Sequence, residues 1–313
     1  MGIVIGMDEA GYGPNLGPLV IGITAWRCDG HPAEVDLWST LSEAICQKSP
    51  KKNDARLHVA DSKDVYSSSR GIAPLERTVL AALRVLGHTP RSFSELHRLL
   101  IHGEPEPEPW FDGEDIALPI AASPDDIGDG ADLLSNCLQE NLVRIEKIRC
   151  DVVLTRRFNS MVRVHNSKGI ALSESSVQLL RSVWNPNESE RTHVIADKHG
   201  GRNRYDELLE DVVDDHMIFR LQEGRERSVY RVNKTDITFQ TKAEQHLPVA
   251  LASMVAKYVR EVFMELFNRF WQQHLPDLKP TKGYPVDAIR YKKEIAATAA
   301  KLGLDEDAWW RSR

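Results

Sequence analysis

The sequence predicts an α/β protein built on a mixed sheet, and three observations carry that prediction. Residues 2–8 alternate in a β-rich pattern, Ile3, Ile5 and Met7 on one face and Val4, Gly6 and Asp8 on the other, and residues 19–26 form a second apolar run. A short buried-type strand, residues 193–197, lies between segments of helical spacing. The strongest helix comes late, at 248–273, with Pro248 near its start and a stripe of Leu251, Val255, Val259, Phe263, Leu266 and Phe270. Strands first, then strands mixed with helices, is the order of an α/β domain with a mixed sheet.

The elements follow in order. Residues 10–18 are a glycine-proline turn, so the opening strands read as hairpin-like, with the acidic pair Asp8 and Glu9 at the end of the first. Residues 34–47 read as helix and 50–55 as a polar, basic loop. Residues 72–86 read as helix through Leu75, Val79, Ala82, Leu83 and Leu86. Composition then shifts. Residues 104–110 are a proline-acid repeat and the stretch to Gly130 is rich in Asp, Pro and Gly, so 88–131 reads as a loop-rich insertion between 1–87 and 132–313. Residues 131–148 read as helix, 151–155 as a short strand, and Arg163 as part of another. Residues 173–184 read as helix with Ser173 as N-cap and Glu174 in its first turn. Strand 193–197 runs into the polar turn 198–203. A helix at 205–213, strands at 217–221, 228–233 and 237–241, and a last helix at 287–302 complete the reading.

At 313 residues the chain is long enough for two domains or one large domain with insertions. Apolar residues at 42% and charged residues at 27% exclude a mainly disordered, collagenous or coiled-coil chain. The apolar run 16–25, broken by Gly and Pro, falls short of the ~20 residues that a membrane-spanning helix needs. The opening residues lack a basic region and reach Asp8 at once, unlike a signal peptide, and Gly2 has no Ser or Thr at the myristoylation position. Cys28, Cys46, Cys137 and Cys150 form no CxxC pair, which fits a reduced, cytoplasmic setting. The net charge of −6 argues against indiscriminate polyanion binding, whereas a nucleic-acid enzyme stays open because local basic patches set the field at a groove.

Chemistry concentrates in Asp8-Glu9-Ala10-Gly11-Tyr12-Gly13-Pro14-Asn15-Leu16-Gly17-Pro18. Two adjacent carboxylates end an apolar strand. On a continuing strand they point to opposite faces; a backbone that leaves the strand after Asp8 brings both to one pocket. Paired carboxylates repel unless a divalent cation neutralises them, and hard oxygen donors suit Mg²⁺ or Mn²⁺. The glycine amides beyond can approach a phosphate or a sugar closely. The bland alternative is two solvated acids beside a tight turn. A further acid, Asp197, ends the buried strand 193–197 and precedes Lys198, His199, Arg202 and Arg204. That suits a metal-and-phosphate site at a strand end, against the alternative of a surface Asp beside a turn.

The first segment resembles the opening Asp-Glu-Ala-Gly-Arg-Gly…Gly-Pro signature of type 2 ribonucleases H, the ribonuclease HII and HIII group. Three more segments match in order. Asp61-Ser62-Lys63, with Arg70 after it, resembles the family's Asp-Ser-Lys element. Lys242-Ala243-Glu244 followed by Pro248, Ala252-Ser253, Ala256-Lys257 and Arg260-Glu261 resembles Lys-Ala-Asp…Pro…Ala-Ser…Ala-Lys…Arg-Asp. Lys282-Gly283-Tyr284-Pro285 resembles the late Lys-Gly-Tyr motif. Together they span residues 3–75 and about 152–300. The resemblance implies a ribonuclease H-like fold, with a mixed five-stranded sheet flanked by helices. It implies two divalent ions, Mg²⁺ or Mn²⁺, held by Asp8, Glu9, Asp197 and Glu244. The implied reaction is hydrolysis of the RNA strand of an RNA–DNA hybrid duplex, leaving 5′-phosphate and 3′-hydroxyl ends, a two-metal in-line displacement with no protein nucleophile. Gly11, Tyr12, Gly13, Ser62, Lys63, Lys198, Lys257 and Tyr284 are the substrate-binding residues it implies.

Two positions depart from the family pattern. Tyr12 replaces the Arg of Gly-Arg-Gly, which removes a phosphate-directed cation and leaves the glycine backbone to read the 2′-hydroxyl, the group that separates RNA from DNA. Glu244 stands where Asp is usual; its extra methylene moves the donor oxygens, and Mg²⁺ geometry is strict, so lower activity or a shift toward Mn²⁺ follows. The histidine often found after the late motif is absent, with Ile289 and Arg290 there. Lys63, Lys257 and Arg260 are candidate phosphate contacts, and Arg156-Arg157 and the turn holding Lys198, His199, Arg202 and Arg204 candidate groove residues. His58, His165, His199 and His246 show no zinc spacing. Two alternatives remain open: a nuclease of this fold acting on structured or branched DNA, and a non-catalytic nucleic-acid-binding protein.

Overall fold

The alternation of residues 2–8 becomes strand β1 (Gly2–Ala10) in a computed structural model of the chain, which describes residues 1–51, 54–67, 70–103, 108–111 and 115–312. The other strands are β2 (Leu19–Cys28), β3 (Ile45–Cys46), β4 (Leu57–His58), β5 (Arg144–Val153), β6 (Arg191–Asp197), β7 (Phe219–Gln222), β8 (Arg227–Val232) and β9 (Thr235–Gln240). The helices are α1 (Leu37–Thr40), α2 (Ser62–Val65), α3 (Ala73–Val85), α4 (Phe93–Leu100), α5 (Pro124–Glu140), α6 (Thr155–His165), α7 (Lys168–Val183), α8 (Asp206–Val213), α9 (Leu247–His274) and α10 (Pro285–Lys301). Seven strands form one sheet in the order β5-β2-β1-β6-β9-β8-β7, and β3 pairs with β4 apart from it. β2 runs antiparallel to β1 and β5, β1, β6 and β9 run parallel, and β8 and β7 close the edge antiparallel.

The α/β class with a mixed sheet flanked by helices is the expected one, but the sheet has seven strands instead of five. The extra pair is the hairpin β7–β8, which precedes β9 in the chain and extends the sheet beyond it. Period-two alternation gives the sheet two buried faces. Val4 and Ile195 face the core under α9, α3 and α5, while Ile3, Ile5, Met7, Val194 and Ala196 face the core under α6, α7 and α8. Helix α9 lies unusually close to the sheet because two strand positions are glycine. A Cβ on Gly6 would stand 2.2 Å from the Pro248 carbonyl carbon, and one on Gly22 would stand 2.4 Å from the Ala252 oxygen. Thr24 adds a hydroxyl bond to the Pro248 carbonyl at 2.7 Å.

Several elements differ from the sequence reading. Within 34–47 only Leu37–Thr40 is helical, under the Asp36 cap; Ile45 and Cys46 instead pair with Leu57 and His58. The helix expected at 131–148 starts at Pro124 behind the Ser123 cap, with Asp125 and Asp126 in its first turn, and stops at Glu140. Residues 144–148 belong to β5, paired along β2. Arg163 lies in α6 rather than a strand, and Ser167, not Ser173, caps α7. Ser173 is internal and returns its hydroxyl to the Gly169 carbonyl at 2.8 Å.

Residues 104–107 of the proline-acid repeat lie outside the described residues. Within 88–131, α4 and the start of α5 pack on the main core through Phe93, Leu96, Leu100 and Ile127. The buried Glu76 carboxylate takes the N–H groups of Ile120, Ala121 and Ala122 at 2.6, 2.7 and 2.8 Å, which ties this segment to α3. All four cysteines are unpaired, and no described helix is long and apolar enough to cross a membrane.

Candidate active site

The carboxylates gather where β1 and β6 end. Met7 pairs with Ala196, so Asp8 and Asp197 stand one step further along adjacent parallel strands, which run ~4.8 Å apart, and both fall on the α9 face. The backbone does not leave the strand after Asp8, as the sequence suggested. β1 continues to Ala10, Glu9 pairs with Ile21, and its side chain starts from the opposite face. All the same, Glu9 senses Asp197 at the rim of the sheet. Glu244 is in a short 3₁₀ turn, Ala243–Gln245, that follows Lys242 in the left-handed region. The Ala243 N–H donates to Asp197 Oδ1 at 3.4 Å, which brings this turn against β6.

These acids are electrostatically uncomfortable together. Burial, then Glu9, raises the Asp8 carboxyl well above its usual range, with a smaller push from Asp197. Burial, then Asp197, raises Glu9 to about 7. Burial raises Asp197 as well, and Glu244 adds to it. Two groups oppose this. The Ser253 hydroxyl on α9 lowers Asp8, and its oxygen lies 3.2 Å from the Ser62 hydroxyl oxygen and accepts from the Ser62 N–H at 3.4 Å. Lys63 lowers Glu9 and Asp197. It belongs to α2, whose N-cap Asp61 accepts from the Lys63 N–H at 3.0 Å and stands 3.5 Å from its ammonium. The Lys63 side chain is 88% exposed, so its charge points into solvent over the acids. Among the described residues, no three His, Cys, Asp or Glu side chains are arranged to hold one ion.

The glycine loop beside the acids is clamped from below. Gly11 has φ +88°, and a Cβ there would stand 2.4 Å from Arg260 Nε. The N–H groups of Asn15 and Leu16 donate to the Gly283 carbonyl at 2.8 and 3.3 Å, and Gly283, at φ +81°, lies against Leu16 too tightly for any side chain. Arg260, fully buried on α9, donates to the carbonyls of Leu16 at 3.2 Å and Lys282 at 3.0 Å. Glu261 beside it accepts from Lys257 at 2.6 Å and Lys282 at 2.5 Å. The two motifs that are distant in sequence, 11–18 and 282–285, are therefore one structural unit. Tyr284, at its edge, is 52% exposed.

The structure thus separates the expected site residues into groups. Asp8 and Asp197 end adjacent strands, Asp197 acts on Glu9, and Glu244 and Lys63 act on Asp197; Gly11, Tyr12 and Gly13 follow directly on β1, and Tyr284 is next to Gly283, whose carbonyl holds Asn15 and Leu16. Ser62 is buried and reaches Asp8 through Ser253. Lys198 is not available to a phosphate: its ammonium is spent on the carbonyls of Arg202 and Gly224 at 3.1 and 2.7 Å, Asn203 Oδ1 at 3.2 Å and the Ser228 hydroxyl at 3.1 Å. Lys257 is bound to Glu261 and stands 4.5 Å from the Tyr66 ring centre, so it braces the loop. Arg260 is a buried clamp rather than a phosphate contact. His199 is buried against Ser173, and burial lowers it to about 3. Arg157 is paired with Asp151 at 2.6 Å, and Arg156 stands 4.0 Å from Asp305. Tyr12 is half-buried, its hydroxyl 3.3 Å from where a Gly200 Cβ would sit, so it packs on the turn after β6. Sequence reasoning missed Asp61 as a cap and Ser253 as the hydroxyl on Asp8, although both lie inside quoted motifs. It had no signal for Arg311, which reaches this loop from almost 300 residues away.

No protein-family model and no curated protein matches the sequence. Solved structures are similar to it over nearly its whole length. Ribonuclease H2 from Pyrococcus horikoshii OT3 is 16% identical, over 98% of this chain and 92% of that one, with a TM-score of 0.48. The RNase HII of the PCNA:RNase HII complex from Archaeoglobus fulgidus is 16% identical over 99% and 94%, at 0.46. Bst-RNase HIII, solved in complex with Mn²⁺, is 17% identical over 99% and 66%, at 0.42. Identities this low and TM-scores below 0.5 leave the chemistry to be read from this chain's own residues.

Proposed function

We propose that this chain is a divalent-metal-dependent endonuclease that hydrolyses the RNA strand of RNA–DNA hybrids, leaving 5′-phosphate and 3′-hydroxyl ends. The observation that carries the reading is the acid cluster at the sheet rim. Burial raises Asp8, Glu9 and Asp197; Glu9 and Asp197 push Asp8 further, Asp197 pushes Glu9, and Glu244 pushes Asp197. A set of acids that resists full ionisation on its own and offers only hard oxygen donors matches Mg²⁺ or Mn²⁺ in chemistry. In placement the match is incomplete: Glu9 starts from the far face of β1, so its longer side chain has to turn over the rim to join Asp8 and Asp197. Glu244, also longer than Asp, favours the more tolerant Mn²⁺.

Divalent ions held by these acids would supply an activated water and charge stabilisation at the leaving oxygen. The chain's own residues supply the rest. Lys63 offers an exposed ammonium to a phosphate near the acids. The backbone of Gly11, Tyr12 and Gly13 lies beside Glu9, where it can meet a ribose hydroxyl. The exposed Tyr284 ring, on the same clamped unit, is available to stack on a base or sugar. The test is cleavage of three labelled duplexes of one sequence: an RNA–DNA hybrid, DNA carrying one ribonucleotide, and all-DNA. Each is run with Mg²⁺ and with Mn²⁺, beside Asp8→Asn. The expected result is cutting at ribonucleotides only, faster with Mn²⁺, and abolished in a folded Asp8→Asn variant. Equal cutting of all-DNA, or full activity in Asp8→Asn, overturns the reading.

A further inference from the structure

Arg311 belongs to none of the sequence motifs, yet its guanidinium, 1% exposed, lies beneath the loop that borders the acids. Nη1 donates to the Gly11 carbonyl at 2.5 Å and Nη2 to the Tyr12 carbonyl at 3.2 Å, while the Arg311 N–H donates to the Asn15 carbonyl at 2.9 Å. It is fixed from behind as well. The guanidinium carbon stands 3.9 Å from the Phe158 ring centre on α6, and the Ser312 N–H donates to Asn159 Oδ1 at 2.7 Å. A planar fork can hold two successive carbonyls at once, which the single point of an ammonium does not do.

Peptide geometry gives this contact a consequence. In a trans peptide the N–H of the following residue points opposite to the C=O. Drawing the carbonyls of Gly11 and Tyr12 down toward Arg311 therefore turns the N–H groups of Tyr12 and Gly13 away from it. Among the described residues neither N–H has an acceptor, and a Cβ on Gly13 would meet nothing within 4 Å. Two adjacent donors thus face open space just past the end of β1, which carries Glu9.

We propose that Arg311 is a positioning residue that sets the Tyr12 and Gly13 amides as a pair of donors for the sugar-phosphate backbone of the strand being cut. The identity of that ligand rests on the nuclease reading; the orientation of the amides does not. Tyr12 carries no cation, so recognition at this point falls to main-chain donors whose direction a distant residue fixes.

The test uses the full chain with Arg311→Met and Arg311→Lys, each checked by thermal unfolding. Residual dipolar couplings of the Tyr12 and Gly13 N–H vectors are measured without nucleic acid. Binding of a short RNA–DNA hybrid and of its all-DNA counterpart is measured in Ca²⁺. Loss of well-placed donors costs about tenfold in affinity. The couplings of both amides are expected to change in both variants, and hybrid affinity to fall about tenfold; all-DNA affinity falls with it where the amides hold a phosphate and is spared where they hold a ribose hydroxyl. Free guanidinium is expected to restore part of the loss in Arg311→Met but not in Arg311→Lys. Unchanged couplings in a folded variant overturn the proposal, as does hybrid affinity equal to wild type. If Arg311→Met does not fold, Arg311→Lys decides. If the wild type binds neither duplex, the nuclease reading fails, and the couplings still decide whether Arg311 sets the amides.

Discussion

Replacing Glu261 with Gln tests whether the clamp under the glycine loop is held by charge. Glu261 is 2% exposed, and its carboxylate stands 2.6 Å from the Lys257 ammonium, 2.5 Å from that of Lys282 and 3.9 Å from Arg260 Nη1. Burial by itself raises this acid; Lys257 and Lys282 more than reverse that and hold it at about 2, below its ordinary 4.5. At about 1.4 kcal/mol per tenfold, this corresponds to about 3 kcal/mol of stability. Breaking a buried pair by removing one partner costs about 3–5 kcal/mol, which agrees. Because the folded value is depressed, the contribution is complete above pH 4.5 and is lost as pH falls toward 2. Urea unfolding followed by tryptophan fluorescence should show Glu261→Gln about 3 kcal/mol less stable at pH 7, with an unchanged m-value. The gap to wild type should close as pH falls below 4.5. A loss under about 1 kcal/mol at pH 7, or a gap independent of pH across that window, would refute the reasoning.

Other outcomes follow from the same geometry. Asp8→Asn should raise thermal stability in the absence of divalent ions by about 1 kcal/mol, because burial and Glu9 oppose the charge that Asn lacks; the gain should grow as pH rises above 3.8 and be visible by calorimetry. Gly22→Ala should destabilise by about 1–3 kcal/mol in chemical unfolding, since its methyl would meet the rigid Ala252 carbonyl of α9 at 2.4 Å within the helix-sheet contact. Glu76→Ala should leave the N–H groups of residues 120–122 without their carboxylate and cost about 3 kcal/mol, and limited proteolysis should then cut near 115–122 at least tenfold faster.

Much of this fold was legible because its signals are local. The opening strand pair, β6, α3, α8, α9 and α10 follow from apolar spacing and from Pro or acidic residues at helix starts. That Asp8 and Asp197 end apolar strands was legible from the alternation before each of them, whereas Glu244 was named only through the resemblance. Where the reading failed, distant contacts decided. Ile45 and Cys46 sit in a helix-like stretch but pair with Leu57 and His58, and residues 144–148 continue a helical pattern yet form ladder bonds with β2. Lys198 reads as a phosphate ligand by its neighbours in sequence, whereas its four partners come from the turn after it and from the β7–β8 hairpin, which no local pattern ties to it. Arg311 is the extreme case, its carbonyl partners lying almost 300 residues earlier.

The same long-range contacts bear on what Tyr12 contributes to the loop. The main chain of residues 11–16 is held by contacts that do not involve the side chain at position 12. These are the positive φ of Gly11, the Gly283 carbonyl bonded to two amides, and Arg260 and Arg311, which together hold the carbonyls of Gly11, Tyr12 and Leu16. Two buried guanidiniums cannot be left unsupported, since desolvation opposes both charges and each raises the cost of the other; burial and Arg260 together lower Arg311 to about 9. Carbonyl oxygens, the Phe158 ring and the Glu261 carboxylate are what offset that cost. Positive charge is therefore built into the floor of the loop rather than displayed from its tip, and residue 12 is free to pack against the turn after β6. On this account, placing Arg at position 12 adds a third cation near Arg311 and Arg260 without changing the backbone. It should strengthen duplex binding and steepen its salt dependence by about one counterion, while leaving the Tyr12→Arg loop in the wild-type conformation. A change in the N–H couplings of residues 12 and 13 on that substitution would show instead that the tyrosine ring, and not the buried arginine pair, sets the loop.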